Sequence, residues 1–213
     1  MANEAGSSIT PFFTIWTEPR ATIRRIVDTD PTRNVIALAT VGPAISMLAS
    51  LWSKALGDNA NLSAFWPISV LLYVAVAAAI GFVSLYLGGA VWRWAGSLLG
   101  GVASSVEVRA AIAWSSVPGI AGELVLLIAI LLGLPVPQVT PEGMPRFDTP
   151  FYRITTFEGV IGIWSLVVLL KCIGEVHRFS AWRALVAGLI PPLIAVVSIA
   201  LMLFLFALLV GHF

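Results

Sequence analysis

The 213-residue chain is nearly neutral, with 12 Lys and Arg against 11 Asp and Glu, and only 11% of its residues are charged. Soluble domains carry about 25% charged residues, so a mean hydropathy of +0.96 excludes an ordinary soluble domain, and no nucleic-acid partner is expected. One cysteine, Cys172, and two histidines, His177 and His212, exclude an internal disulfide, a thiolate metal cluster and a histidine pair at helical metal spacing.

In chain order, residues 1–33 come first. No apolar core follows Met1, and Glu4 stands where a secretory signal carries positive charge, so this segment reads as retained. Residues 17–27 read as a short helix with Thr17 as a cap, Arg20 and Arg24 one turn apart, and Ile23, Ile26 and Val27 on another face. Phe12, Phe13 and Trp16 precede it. Two readings stand: an amphipathic helix lying on anionic lipid, or a positively charged flank that sets topology. Both place the segment in the cytoplasm.

Five apolar stretches follow, each measured against the roughly 20 residues that cross a hydrocarbon core about 30 Å thick. Residues 34–52 are uncharged, with Asp30 as a cap and Pro31 as the first helical residue. Residues 65–92 are uncharged and longer than needed, and Ala77 and Gly81 within them suit close packing. Residues 110–134 carry Glu123 and Pro118, so the membrane boundary falls at Ala110 or nearer Trp114 and Pro118. Residues 159–176 end in Lys171 and Glu175. Residues 184–210 are uncharged, with Pro191 and Pro192 placed to kink the first two turns. Between the third and fourth stretches, residues 135–157 hold five prolines and read as an extended loop, a stiff connector or a lid.

Basic residues set the orientation. Arg20, Arg24, Arg25, Arg33, Arg93, Arg109, Arg178 and Arg183 fall on one side, and only Lys54, Arg146 and Arg153 on the other. The amino terminus is therefore expected inside and the carboxyl terminus outside. Trp52 and Trp66 fall at the outer interface, and Trp92, Trp94 and Trp182 at the inner.

Charge inside a bilayer costs at least ~2.5–3.5 kcal/mol near its centre, which singles out Glu123. It reads as an ion, proton or polar-substrate site, or as a hydrogen-bonded glutamate holding helices together. Lys171 can snorkel to the inner interface and pair with Glu175 one turn on. No nucleophile elbow, phosphate loop or dinucleotide fingerprint occurs. Gly96 and Gly100 form a small-residue pair suited to close helix approach, and Cys172 reads as a packing residue. No cofactor and no enzymatic activity are expected.

Three stretches carry a resemblance. Glu18-Pro19 with Arg24, Arg25 and Ile26 lies ahead of the first span; Leu99-Gly100-Gly101 runs through Glu107 to Ala110, Ala113, Trp114, Ser115 and Pro118; Trp164 is followed by Gly174-Glu175-Val176-His177 with Ser180, Arg183 and Ala184. In this order they resemble bacterial-type members of the Yip-one domain family, membrane proteins first described as interactors of Ypt/Rab GTPases. The Asp-Leu-Tyr-Gly-Pro motif and long polar region of eukaryotic members are absent.

The resulting expectation is an all-α polytopic membrane protein: five spans (residues 34–213) behind a cytoplasmic segment (1–33) with an interfacial helix, in the cell inner membrane. It is expected to organise membrane or protein neighbours, with a small transporter or channel using Glu123 as the alternative. Its partners are the lipid bilayer, a membrane or cytoplasmic protein, and a second copy of itself. The candidate cytoplasmic interaction face comprises Glu107, Arg109, Trp114, Ser115, Pro118, Glu175, His177 and Arg178; a salt-bridged brace among the third, fourth and fifth spans is the other reading of those residues. Glu123 and Lys171 are the intramembrane polar groups.

Overall fold

The computed structural model describes residues 10–57, 66–132 and 149–210, and their regular structure is α-helix alone. Eight helices follow in order: α1 Thr10–Thr17, α2 Pro19–Thr29, α3 Val35–Gly57, α4 Trp66–Leu98, α5 Ser105–Ser115, α6 Val117–Leu131, α7 Thr149–Val176 and α8 Ala181–Val210. Four stretches are long and apolar enough to cross a membrane: Ile68–Leu98, Ser105–Leu131, Tyr152–Val176 and Ala181–Leu208. The first expected span is represented by a shorter apolar run, Val35–Leu51 of α3.

Several boundaries differ from expectation, each for a local reason. Thr17 is not a cap: it ends α1, and α2 starts behind Glu18 with Pro19 as its first residue, where a missing N–H costs nothing. Asp30 does not open α3; it closes α2 and accepts from the Thr32 N–H (2.9 Å) and hydroxyl (2.6 Å), an Asx turn. Those hydrogen bonds hold the Asp30 carboxyl below its ordinary range. α3 then begins after Asn34, whose φ of 57° reverses the chain.

The third expected span is two helices. Pro118 has no N–H for the Trp114 carbonyl four residues back, and its ring crowds that carbonyl. The chain breaks at Ser116, whose N–H reaches the Ala113 and Trp114 carbonyls, and α6 restarts with Pro118 in its first turn. The helix of the fourth expected span begins earlier than residue 159: α7 starts at Thr149, and residues 149–157 are helical rather than loop. Pro150 sits in the first turn, and no breaker separates it from Gly159. The remaining loop residues, the side chains of Trp52, Lys54 and Trp66, and His212 lie outside the described residues.

Two helices end in the same way. At α4, Gly101 N–H bonds Gly96 O (2.9 Å) and Gly100 N–H bonds Ser97 O (3.0 Å), with Gly100 at φ 77°. At α7, Phe179 N–H bonds Gly174 O (2.8 Å) and Arg178 N–H bonds Glu175 O (3.1 Å), with Arg178 at φ 60°. Both are Schellman ends, and the second places an arginine in the left-handed conformation where glycine is usual.

The buried core lies at the end where α1, α2 and α5 meet the last turns of α7, built from Ile15, Ile23, Ile26, Val108, Trp114, Cys172, Ile173 and Val176. Elsewhere the long helices touch through small residues, as apolar helices do in a solvent as apolar as themselves. α3 and α4 share the most extensive helix contact. A Cβ placed on Gly81 would overlap the Ala39 carbonyl oxygen of α3, and Ala77 is fully buried one turn before it. Trp92 of α4 lies across Gly188 of α8, and Ile161 of α7 across Gly122 of α6. In contrast, α8 beyond Gly188 is exposed along nearly its whole described length.

Because backbone cannot retreat from an added methyl, Gly81→Val should destabilise the α3–α4 pair by about 1–3 kcal/mol. Gly88→Ala, where a Cβ meets nothing within 4 Å, should leave melting in detergent unchanged. Equal melting for both variants would show that the α3–α4 approach is looser than described.

Candidate functional site

α2 alternates its faces at helical spacing, so Ile23 and Ile26 enter the core while Arg20 and Arg24 turn toward α7. Arg24 Nε (3.1 Å) and Nη2 (2.9 Å) both donate to Glu175 Oε1, and Nη2 also donates to the Glu175 carbonyl (2.9 Å). Arg20 donates Nη1 to Glu175 Oε2 (3.4 Å) and Nη2 to the Phe179 carbonyl (3.5 Å). One guanidinium thus adds a second donor to the Glu175 carbonyl and the other reaches the Phe179 carbonyl in the turn beyond α7, at the end where the helix dipole is negative. Among the described residues the ion pairs of Glu175 are with these arginines, not with Lys171 one turn back. Cys172 lies beneath, fully buried, with its Sγ 3.8 Å from the Pro19 carbonyl.

The other residues of the candidate face are mostly spent on internal bonds. Glu107 closes a capping box on α5: Ser104 N–H donates to its Oε2 (2.6 Å), and its own N–H donates to Ser104 Oγ (3.3 Å). Arg109 lays its stem over Gly89 and its guanidinium 4.7 Å from the Tyr86 ring centroid, a cation–π contact. Trp114, expected at the interface, is fully buried instead: α5 carries it into the core, its Nε1 donates to the Arg33 carbonyl (3.2 Å), and it packs 4.9 Å from Phe12. Ser115 is buried with its hydroxyl on the Ile112 carbonyl (2.8 Å), and Pro118 is buried at the start of α6. Arg178 is exposed, as are Trp182 and Arg183 at the start of α8.

His177 is the most unusual of the set. It is 1% exposed, and neither ring nitrogen has a hydrogen-bond partner among the described residues. Its ring stacks on Phe179 (centroids 5.2 Å apart, planes within 5°), and its other side abuts Gly96 and Gly101, where any Cβ would collide with it. The imidazole thus fills the space between the Schellman ends of α4 and α7. Burial pushes its pKa below the ordinary 6.5, partly opposed by the negative charge of Glu107.

Glu123 does not stand alone. A cavity of about 320 Å³ between α6 and α7 is lined by Gly119, Gly122 and Glu123 from one helix and Glu158, Ile161 and Gly162 from the other. Glu158 lies one residue ahead of the apolar stretch expected from residue 159, so the sequence pattern does not single it out; the absence of any helix breaker between Pro150 and Gly159 is the signal that could have found it. Two carboxylates on one cavity can share a proton or face a cation. Lys171 is half-buried within α7.

Four membrane-length apolar helices, and an end where α2, α5 and α7 are bolted together, define a polytopic helical membrane protein. The family model for the Yip1 domain matches residues 13–208, nearly the whole chain, and the chain belongs to that family. No curated protein and no solved structure matches it.

The buried imidazole yields a sign for pH dependence. Below about pH 6.5 the unfolded chain takes up a proton that folded His177 resists, so stability falls as pH drops and is full above that value, with a slope of up to about 1.4 kcal/mol per pH unit. Melting of the purified protein should therefore decline from pH 7.5 to 5.5, above the range of ordinary carboxylates. His177→Gln should remove that decline, and an unchanged slope in this variant would contradict the assignment.

Proposed function

We propose that this Yip1-domain protein is a non-enzymatic, five-span component of the bacterial inner membrane that organises protein or lipid neighbours. α3 supplies the first span in this reading: its 23 residues extend about 34 Å at 1.5 Å per residue, enough to cross the hydrocarbon core. With the basic residues inside, α1, α2, the α4–α5 turn and the α7–α8 turn lie on the cytoplasmic side, and the carboxyl end of α8 lies outside.

The observation that carries this reading is the attachment of α2 to the end of α7 through Arg20, Arg24 and Glu175. It makes the amino-terminal helices part of the membrane domain rather than a free interfacial arm, and gives that end a fixed shape. Glu107, Arg109, Trp114, Ser115, Pro118 and His177 act as bracing within it. Arg178, Trp182 and Arg183, which turn outward beside the brace, form the recognition face for a membrane or cytoplasmic protein, or for a second copy. Glu123 serves packing between α6 and α7.

A photo-reactive amino acid at Trp182 tests the proposal in cells. Discrete protein adducts are expected, lost in Arg178→Ala/Arg183→Ala with expression and melting unchanged. Adducts to lipid alone, or an ion flux in vesicles abolished by Glu123→Gln at unchanged melting, would overturn it. Topology has its own check, because buried Cys172 leaves a clean background. Arg178→Cys should react with an impermeant maleimide only after lysis, and His212→Cys in intact cells.

A further inference from the structure

The niche that holds His177 is walled by groups that offer its ring no hydrogen bond. The Gly101 N–H donates to the Gly96 carbonyl, the Phe179 N–H to the Gly174 carbonyl and the Arg178 N–H to the Glu175 carbonyl. The bonds that end α4 and α7 thus occupy the backbone donors beside the ring. A methyl on Gly96 would overlap Cε1 and Nε2, and one on Gly101 would overlap Nδ1, so each nitrogen lies against a glycine. Phe179 stacks on the ring. A neutral imidazole leaves one N–H without an acceptor there; a protonated one leaves two and adds a buried charge, which costs far more.

The charges around the ring do not offset that cost. The end of α4, residues 96–101, holds no ionisable side chain. α5 presents Glu107, whose charge favours the protonated ring, but its Oε2 already accepts from the Ser104 N–H. On α7 itself Glu175 is held by Arg20 and Arg24 of α2. Arg178 and, in the first turn of α8, Arg183 are themselves cations. Burial prevails over Glu107 and keeps the ring neutral below its ordinary range.

The segment that carries the ring is built to move. α7 ends at Val176 and α8 starts at Ala181, so residues 177–180 form the whole link between them. Within it Arg178 sits at φ 60°, a left-handed conformation that strains any residue with a Cβ. Gly100 and Arg178, on either side of the ring, are exposed. Turning a few backbone torsions of the link carries the ring into water and relieves Arg178 without unwinding α4, α7 or α8.

We propose that His177 is an acid-sensitive latch on the α7–α8 link: the neutral ring closes the niche between the ends of α4 and α7, and the protonated ring leaves it and opens residues 177–180. The closed link binds fewer protons than the open one, so the open population rises as pH falls. With an ordinary value of 6.5 for the open ring, the ratio of open to closed grows about tenfold from pH 7.5 to 5.5. Arg178, Trp182 and Arg183 lie in or beside the link, so opening also reshapes the recognition face proposed above. The test reads the link itself and does not depend on that face.

Amide exchange of the full chain in mild detergent, read by mass spectrometry at pH 5.5 and 7.5 and corrected for intrinsic exchange, is that test. Residues 177–180 should open about tenfold more at pH 5.5, while α3 and α6 keep their protection. His177→Gln, which takes up no proton, should exchange alike at both values. Gly96→Ala, whose methyl would meet the His177 ring first, should open the link at pH 7.5 at least as far as acid opens it in the parent chain, a gain that does not require the glutamine variant to fold. Equal protection of the link at both pH values in the parent chain overturns the proposal. So does an unchanged pH response in His177→Gln, a link still closed at pH 7.5 in Gly96→Ala, or a loss of protection in acid spread alike over all helices.

Discussion

Two arginines of α2 bonded to the end of α7 are the interaction on which the packing of α1, α2 and α5 against α7 depends. The Schellman bonds already pair the Gly174 and Glu175 carbonyls, so the arginines add charge-assisted donors at the negative pole of α7 rather than filling vacant acceptors. Here Arg24 reaches both the Glu175 side chain and its carbonyl, and Arg20 reaches the Phe179 carbonyl. The two guanidinium groups cover the end with fixed donors, and the burial of Ile23, Ile26, Cys172 and Ile173 follows underneath. Arg24 and Glu175 are partly buried, so their charge-assisted bonds are worth more than a surface pair and are less screened by salt.

Trp114, Arg33 and His177 show how the rest is tied to that junction. Trp114 connects the start of α3 to the core through its bond to the Arg33 carbonyl, and the break at Ser116 lets α5 bring it inward while α6 carries the apolar stretch onward. The His177 ring fills the gap between the ends of α4 and α7 with no hydrogen-bond partner among the described residues, which is tolerable only for a neutral ring. Gly96 and Gly101 are needed there because the ring occupies the space a Cβ would take. Beyond this end the helices rely on small-residue contacts, and α8 leaves the bundle with its apolar surface facing outward, as lipid or a partner helix requires.

The long helices were legible because a run without charge has one physical meaning in a chain this apolar, and glycine spacing in α4 already pointed to the contact that Gly81 makes. What escaped was tertiary. Arg20 and Arg24 read as facing anionic lipid or as a topology-setting flank, because their spacing describes a charged helix face and says nothing of an acceptor about 150 residues away in sequence. Trp114 read as interfacial because tryptophan favours that layer, whereas an available carbonyl at Arg33 made full burial affordable. Glu158 escaped because it lies just ahead of the expected span at residue 159, whereas the helix starts at Thr149; α1 escaped by its length, since eight residues hold no helical period clear enough to separate from a flank.

The most direct measurement is a double-mutant cycle between Arg24 and Glu175, using Arg24→Gln, Glu175→Gln and the double variant, followed by melting in detergent and by amide exchange over α2. The account predicts coupling of about 1–3 kcal/mol and exchange protection of α2 lost alike in all three variants. Additive effects, with α2 as protected in the variants as in the parent chain, would contradict the claim that this junction fastens the amino-terminal helices to the membrane domain.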